Sequence, residues 1–178
     1  MSSAVAVFRT DAIQGEVVAS ARAGGVHVMA MFTRLPPGPH GFHIHKAGDL
    51  RGEGCMGLCE HYDKGHHCHG GAPSNGTRHK GEHHKGGHHK GERHTGDLGN
   101  IELRGKKLRT TYFLKGVSVQ DLWGRSIIVH EDKDDLGKGT FEDSSITGHS
   151  GKRIGCAIFG RAVCTRKRTS HQRRHTRR

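Results

Sequence analysis

The sequence has little of what builds a large helical core. It holds one Trp, two Tyr, six Phe and four Pro in 178 residues, and its apolar fraction of 31% is low for a globular chain. No apolar run approaches the length of a membrane span, so no segment reads as transmembrane. The opening "MSSAVAVFRTD" reaches Arg9 and Asp11 before a sustained apolar stretch forms, which argues against a secretory leader and for a cytoplasmic protein. Acidic residues are outnumbered, 17 against 29 basic, for a net charge of +12. Eight of those positive charges, with no acid among them, lie in the last eighteen residues, leaving +4 for the body. The basic excess therefore describes a tail, and it does not make the whole chain a nucleic-acid binder. A convincing helical period of apolar residues is also missing.

What is present is short alternation. "SAVAVFR", "GEVVASARAGGVHVMAMF", "GFHIH", "LRTTYFLKGVSV", "RSIIVHE" and "GCAIFGRAV" read as strands, with a turn at 24–25 inside the second. An antiparallel sandwich or barrel is expected. Two long segments, 46–100 and 131–153, lack strand character and adjoin histidines, which points to functional loops. Within the first, "RHKGE", "HHKGG" and "HHKGE" repeat over residues 78–92, and "RHTGD" follows in the same pattern. The expected layout is one domain over residues 1–164 that carries this His-rich insert, then a basic, disordered tail over 165–178. The tail offers a site for nucleic acid or another polyanion. Five cysteines, Cys55, Cys59, Cys68, Cys156 and Cys164, leave at least one thiol unpaired or available as a ligand.

His43 and His45 stand two apart in an apparent strand, hence on one face. His61, His69, His94, Asp97 and His130 follow. Imidazoles with a carboxylate suit copper and zinc, and these seven groups could serve two ions if one histidine bridged them. In "GFHIHKAGD", "HGGAP", "RHTGDLGN", "IIVHEDKDDLGKG" and "TGHSGKRIGC" the chain resembles the copper/zinc superoxide dismutase family over residues 4–163, apart from the insert.

That resemblance implies an eight-stranded antiparallel Greek-key β-barrel, of immunoglobulin-like sandwich type, with two long functional loops. It implies a dismutase that converts superoxide to dioxygen and hydrogen peroxide by alternate reduction and reoxidation of copper. Copper would be held by His43, His45, His61 and His130. A structural zinc would be held by His61, His69, His94 and Asp97, with His61 shared as the bridge. Asp134 would link a copper-ligand histidine to a zinc-ligand histidine, Cys55 and Cys156 would form a disulfide, and Arg153 would hold the anion beside the copper. His61 would also take up a proton. The acidic pair Glu142 and Asp143 fits the pattern, whereas Ile146 stands where many members carry a lysine that steers substrate, a loss for which Lys133 could compensate in part. A homodimer is implied, with residues 123–124 and 158–160 in or near its interface. Insert and tail together are similar to dismutases of giant DNA viruses, which would place the protein in host cytoplasm with virion packaging open to it. A different reading of the same fold is metal storage or delivery, with the histidine insert as the working part.

Overall fold

A computed structural model describes residues 2–51, 53–73 and 93–163. The insert 78–92, the tail 165–178 and Cys164 lie outside the described residues. Alternation builds the first sheet. In β1 (Ser3–Arg9), Ala4, Ala6 and Phe8 are buried and their neighbours are not. β2 (Gln14–Arg22) and β3 (Gly25–Arg34) pair antiparallel, with Arg22 opposite Gly25. The turn therefore falls on residues 23–24, one residue before the expected place. Gly24 supplies the left-handed φ of 78° that a tight turn needs, which frees Gly25 to pair with Lys115. β6 (Leu108–Lys115) lies beside β3, and the sheet runs β6-β3-β2-β1-β9.

The second sheet holds β4 (His40–His45), β5 (Asp97–Ile101), β7 (Ser126–His130) and β8 (Arg153–Ile158), in the order β5-β4-β7-β8. The chain crosses between sheets after β3, after β5 and after β6, in keeping with the expected Greek-key fold. It crosses once more into β9 (Gly160–Arg161), a two-residue strand paired with β1. The eight main strands thus form two antiparallel sheets face to face. Three phenylalanines fill the seam between them: Phe8 and Phe32 lie 5.4 Å apart, and Phe32 of one sheet meets Phe42 of the other edge-on at 5.8 Å. Phe32 and Phe42 are fully buried. Truncating either to alanine would cost about 3–5 kcal/mol.

Three departures from the sequence reading have local causes. β5 lies inside a segment that lacks strand character, because "DLGNI" has no alternation. It forms through its partner, with His40 opposite Ile101 and His43 opposite Asp97. The strand expected over 108–119 stops at Lys115, where Gly116 takes φ 70°. Ser118 then caps α1 (Val119–Leu122): its hydroxyl accepts from Asp121 N–H, and the Asp121 carboxylate accepts from Ser118 N–H. A second one-turn helix, α2 (Ser144–Thr147), sits in the loop after β7. Single turns are too short to show a 3.6-residue period.

Candidate metal centre

β4 is the central support. Phe42 and Ile44 enter the hydrophobic core, so His43 and His45 stand together on the opposite face, both essentially without exposure. The register brings the other donors to them. Asp97 of β5 lies opposite His43, and an isolated bridge places His61 opposite His45. His130 ends β7. His69 and His94 come from the long loop before β5, and Asp134 from the loop after β7.

Among the described residues three donor groups form: His43, His45, His61 and His130; His61, His69, His94 and Asp97; and His43, His69 and Asp134. His61 belongs to the first two. Its ring centroid is 4.2 Å from His43 and 4.8 Å from His45 on one side, and 5.1 Å from His69 and 5.3 Å from His94 on the other. Asp97 Oδ1 lies 2.8, 3.1 and 3.3 Å from Nδ1 of His61, His69 and His94. Ligands about 2.0–2.1 Å from a tetrahedral zinc are about 3.3 Å from one another, so this spacing fits zinc.

The ring nitrogens are sorted with consistency. His43 Nε2 donates to Asp134 Oδ2 (2.8 Å), His45 Nδ1 to the Cys59 carbonyl (2.9 Å) and His130 Nδ1 to the Gly151 carbonyl (3.3 Å). Each acceptor can only accept, so each bonded nitrogen carries the proton and the other nitrogen keeps its lone pair. Those other atoms, Nδ1 of His43 and Nε2 of His45 and His130, are buried without a partner, as is Nε2 of His61, whose Nδ1 meets Asp97 Oδ1. Nδ1 of His69 and of His94 likewise accept no hydrogen bond. A buried polar atom without a partner is costly, and six converging in two clusters fit two metal ions.

Carboxylates fix the frame. Asp134 accepts from His43 through one oxygen and from His69 through the other, both at 2.8 Å. It is itself held by reciprocal 2.8 Å bonds with Asn100, whose amide donates to the Asp134 carbonyl and whose oxygen accepts from Asp134 N–H. Asp97 anchors its second oxygen on Gly70 N–H and His94 N–H and leaves the first for the cluster. At Gly148, where φ is 69°, an added Cβ would collide with Asp134 Oδ1 and His69 Nε2. Asn100 and Gly148 were not singled out from the sequence, although both lie within the recognised motifs.

Burial lowers the pKa of His43 and takes that of His45 well below the ordinary value. It brings His61 down to about 4 and His130 to about 3. His69 moves the other way: burial opposes the shift, but the carboxylates of Asp134 and Asp97 lift it to about 9. Each lowered histidine stabilises the fold fully above its unfolded value near 6.5, and the stabilisation is lost as pH falls through the folded value. His69 contributes in the opposite sense, fully below 6.5 and lost as pH rises through about 9. Four histidines against one make acid the destabilising direction. Metal-free protein should therefore denature at clearly lower denaturant at pH 4.5 than at pH 7, since His61 alone is worth on the order of 3 kcal/mol over its full window. An equal or higher midpoint at pH 4.5 would contradict the assigned burial.

A cavity of about 710 Å³ opens onto the first group, with His45, His61, His130, Lys152 and Arg153 in its wall. Half-buried Arg153 is held by three carbonyls, donating to those of Cys55 (3.0 Å), Met56 (3.3 Å) and Cys59 (2.6 Å). Cys55 and Cys156 form a disulfide that ties this loop to β8. Cys59 and Cys68 are free and exposed. Ile146 lies at the cavity rim, 58% exposed. The lysine in the wall is Lys152; Lys133, expected to compensate for Ile146, is not among the lining residues.

The family model for copper/zinc superoxide dismutase matches residues 13–159. An extracellular superoxide dismutase [Cu-Zn] of Haemonchus contortus is 41% identical over 71% of this chain and 62% of its own length, so the chain spans under two thirds of that relative. A superoxide dismutase [Cu-Zn] of Paramecium bursaria Chlorella virus 1 is 37% identical over 90% of this chain and 79% of its own. Superoxide dismutase [Cu-Zn] 5 of Dictyostelium discoideum is 33% identical over 88% and 96%. The crystal structure of the clock protein EA4 superposes with a TM-score of 0.70 at 32% identity, covering 89% of this chain and 93% of that one. With two donor groups joined through His61 on a two-sheet antiparallel fold, the chain belongs to the copper/zinc superoxide dismutase family.

Proposed function

We propose that the protein disproportionates superoxide to dioxygen and hydrogen peroxide, with copper held by His43, His45, His61 and His130 and zinc by His61, His69, His94 and Asp97. The carrying observation is that one imidazole, His61, belongs to both donor groups, and that the group of four imidazoles faces the cavity walled by Arg153. Bound copper would supply the one-electron exchange with superoxide, and bound zinc would supply fixed positive charge. Arg153, immobilised by its three carbonyls, places a guanidinium where an incoming anion must pass. Asp134 keeps His43 and His69 in register. His61 Nε2 lies in the cavity wall region without a partner and is the atom at which a proton can be held for the peroxide product.

The wider proposal is a domain over residues 1–164, carrying the insert 78–92, with a tail over 165–178 that binds nucleic acid or another polyanion. It includes a homodimer built near residues 123–124 and 158–160 and a cytoplasmic location, which in a virus-encoded protein would be the host cytoplasm. No helix among the described residues is long and apolar enough to cross a membrane. Several relatives are named extracellular, so fractionation of expressing cells decides the location.

The test of the function is superoxide decay after loading with copper and zinc. Rapid decay that cyanide blocks is expected; its absence in fully metallated protein overturns the reading. In the same assay Arg153→Glu should lose about tenfold or more with copper retained, since it reverses the charge facing the anion. Arg153→Lys should fall between, because it keeps the charge but cannot make the three-carbonyl fork. If both variants equal the parent at low ionic strength, Arg153 does not hold the anion.

A further inference from the structure

The cavity leading to the four imidazoles is not an obvious path for an anion. Three carboxylates, Glu53, Glu60 and Asp143, line it. Two of them are engaged: Glu60 pairs with Lys46, outside the wall, at 3.2 Å, and Asp143 meets His149 Nδ1 at 2.7 Å and accepts from the Thr147 hydroxyl at 3.0 Å. Glu53 has no such partner among the described residues. The Ile146 side chain brings apolar surface to the rim and no charge. Attraction must then come from cations in the wall itself, and those are Arg153 and Lys152.

The two differ in freedom. Arg153 gives three of its five N–H donors to the carbonyls of Cys55, Met56 and Cys59, which fix its place and leave two N–H groups and the charge for an anion. Lys152 is exposed and makes no ion pair with any described carboxylate. Its backbone is fixed, since its carbonyl accepts from Glu131 N–H at 2.8 Å at the entry to β8. A lysine on a fixed backbone with an unclaimed ammonium is suited to drawing an anion inward, because its charge is compact and its stem is flexible.

We propose that Lys152 is the residue that recruits the anionic substrate in this chain, taking the role that a cation at position 146 would otherwise fill, and passing the anion to Arg153. The proposal rests on the dismutase reading above. Lys152 is a positioning residue: it acts on encounter and leaves the electron transfer untouched, so its effect is screened by salt.

The experiment uses the copper- and zinc-loaded full chain with Lys152→Gln, Lys152→Gln/Ile146→Lys and, as a distant control, Lys115→Gln. Two quantities are read across ionic strength: kcat/KM for superoxide, and the dissociation constant of azide, followed by its absorption change at bound copper. At low salt Lys152→Gln should lose roughly two- to fivefold in both, converge with the parent at high salt, and be restored by Ile146→Lys, while Lys115→Gln is unchanged. Unchanged azide affinity and kcat/KM at low salt overturn the proposal, as does a loss that persists unaltered at high salt. If the loaded parent binds azide but shows no dismutase activity, the dismutase reading fails, and the azide series still decides whether Lys152 recruits anions.

Discussion

A His130→Ala variant is expected to lose its copper and its dismutase activity together while keeping its zinc. His130 closes the four-imidazole group from the end of β7, with its ring centroid 4.8 Å from His43. Its Nδ1 proton is committed to the Gly151 carbonyl, which leaves Nε2 as the only atom it can offer. Alanine leaves three donors from β4 and His61, without a strut on the open side. Partners one shell further out typically cost ten- to hundredfold in metal affinity or activity, so removal of a direct donor should exceed about a hundredfold. His130 is absent from the group of His61, His69, His94 and Asp97, so that group should fill normally. Metal analysis and superoxide decay on the same sample check this. Retained copper with parent-like decay would show that His130 is not a donor; loss of zinc as well would show that the two groups collapse as one.

Replacing both Cys55 and Cys156 by serine should cost the metal-free protein about 4–5 kcal/mol. The bond closes a separation of 101 residues, and a cross-link of that span removes about 4.7 kcal/mol of loop-closure entropy from the unfolded chain in the chain-entropy model. Function should suffer through a different route. Cys55 contributes a carbonyl to the anchor of Arg153, and the loop that carries it holds the Met56 and Cys59 carbonyls as well. Freed from β8, that loop no longer fixes the guanidinium. Denaturant midpoints of the metal-free parent and variant measure the first effect, and kcat/KM of the metallated pair measures the second. A stability loss under about 1 kcal/mol would contradict the assignment of the stabilisation to loop closure in the unfolded chain.

Sequence pattern singled out the residues that the fold gathers because most lie in a motif with fixed neighbours: His43 and His45 in "GFHIH", His69 in "HGGAP", His94 and Asp97 in "RHTGD", His130 in "IIVHE". Strands such as β1 and β7 were legible for a related reason, since their apolar residues alternate or run continuously. β5 was not, because Asp97 and Asn100 find their pairing only on β4, and Gly99 between them takes a left-handed φ of 72° where the register shifts. Main-chain partners were equally invisible. That the Cys59 carbonyl fixes one histidine and one arginine depends on a backbone with φ 59° at a residue other than glycine, which no side-chain pattern encodes. The cation of the cavity wall was not legible for a comparable reason: Lys133 and Lys152 both lie in the same loop by sequence, and only the path of that loop puts Lys152 in the lining.

The two donor groups draw on very different stretches of chain. One spans residues 61 to 97, a separation of 36, while the other needs His43 and is not complete until His130. During vectorial synthesis, all four members of the shorter group are made before β7. Closing the shorter span also costs less entropy, by a few tenths of a kcal/mol to about 1 kcal/mol on a logarithmic scale. The Asp134 clasp and the Arg153 anchor arrive later still. A nascent chain can therefore gather the His61, His69, His94 and Asp97 set first, and its four-imidazole set, complete at His130, precedes the two wall cations, Lys152 and Arg153, by some twenty residues.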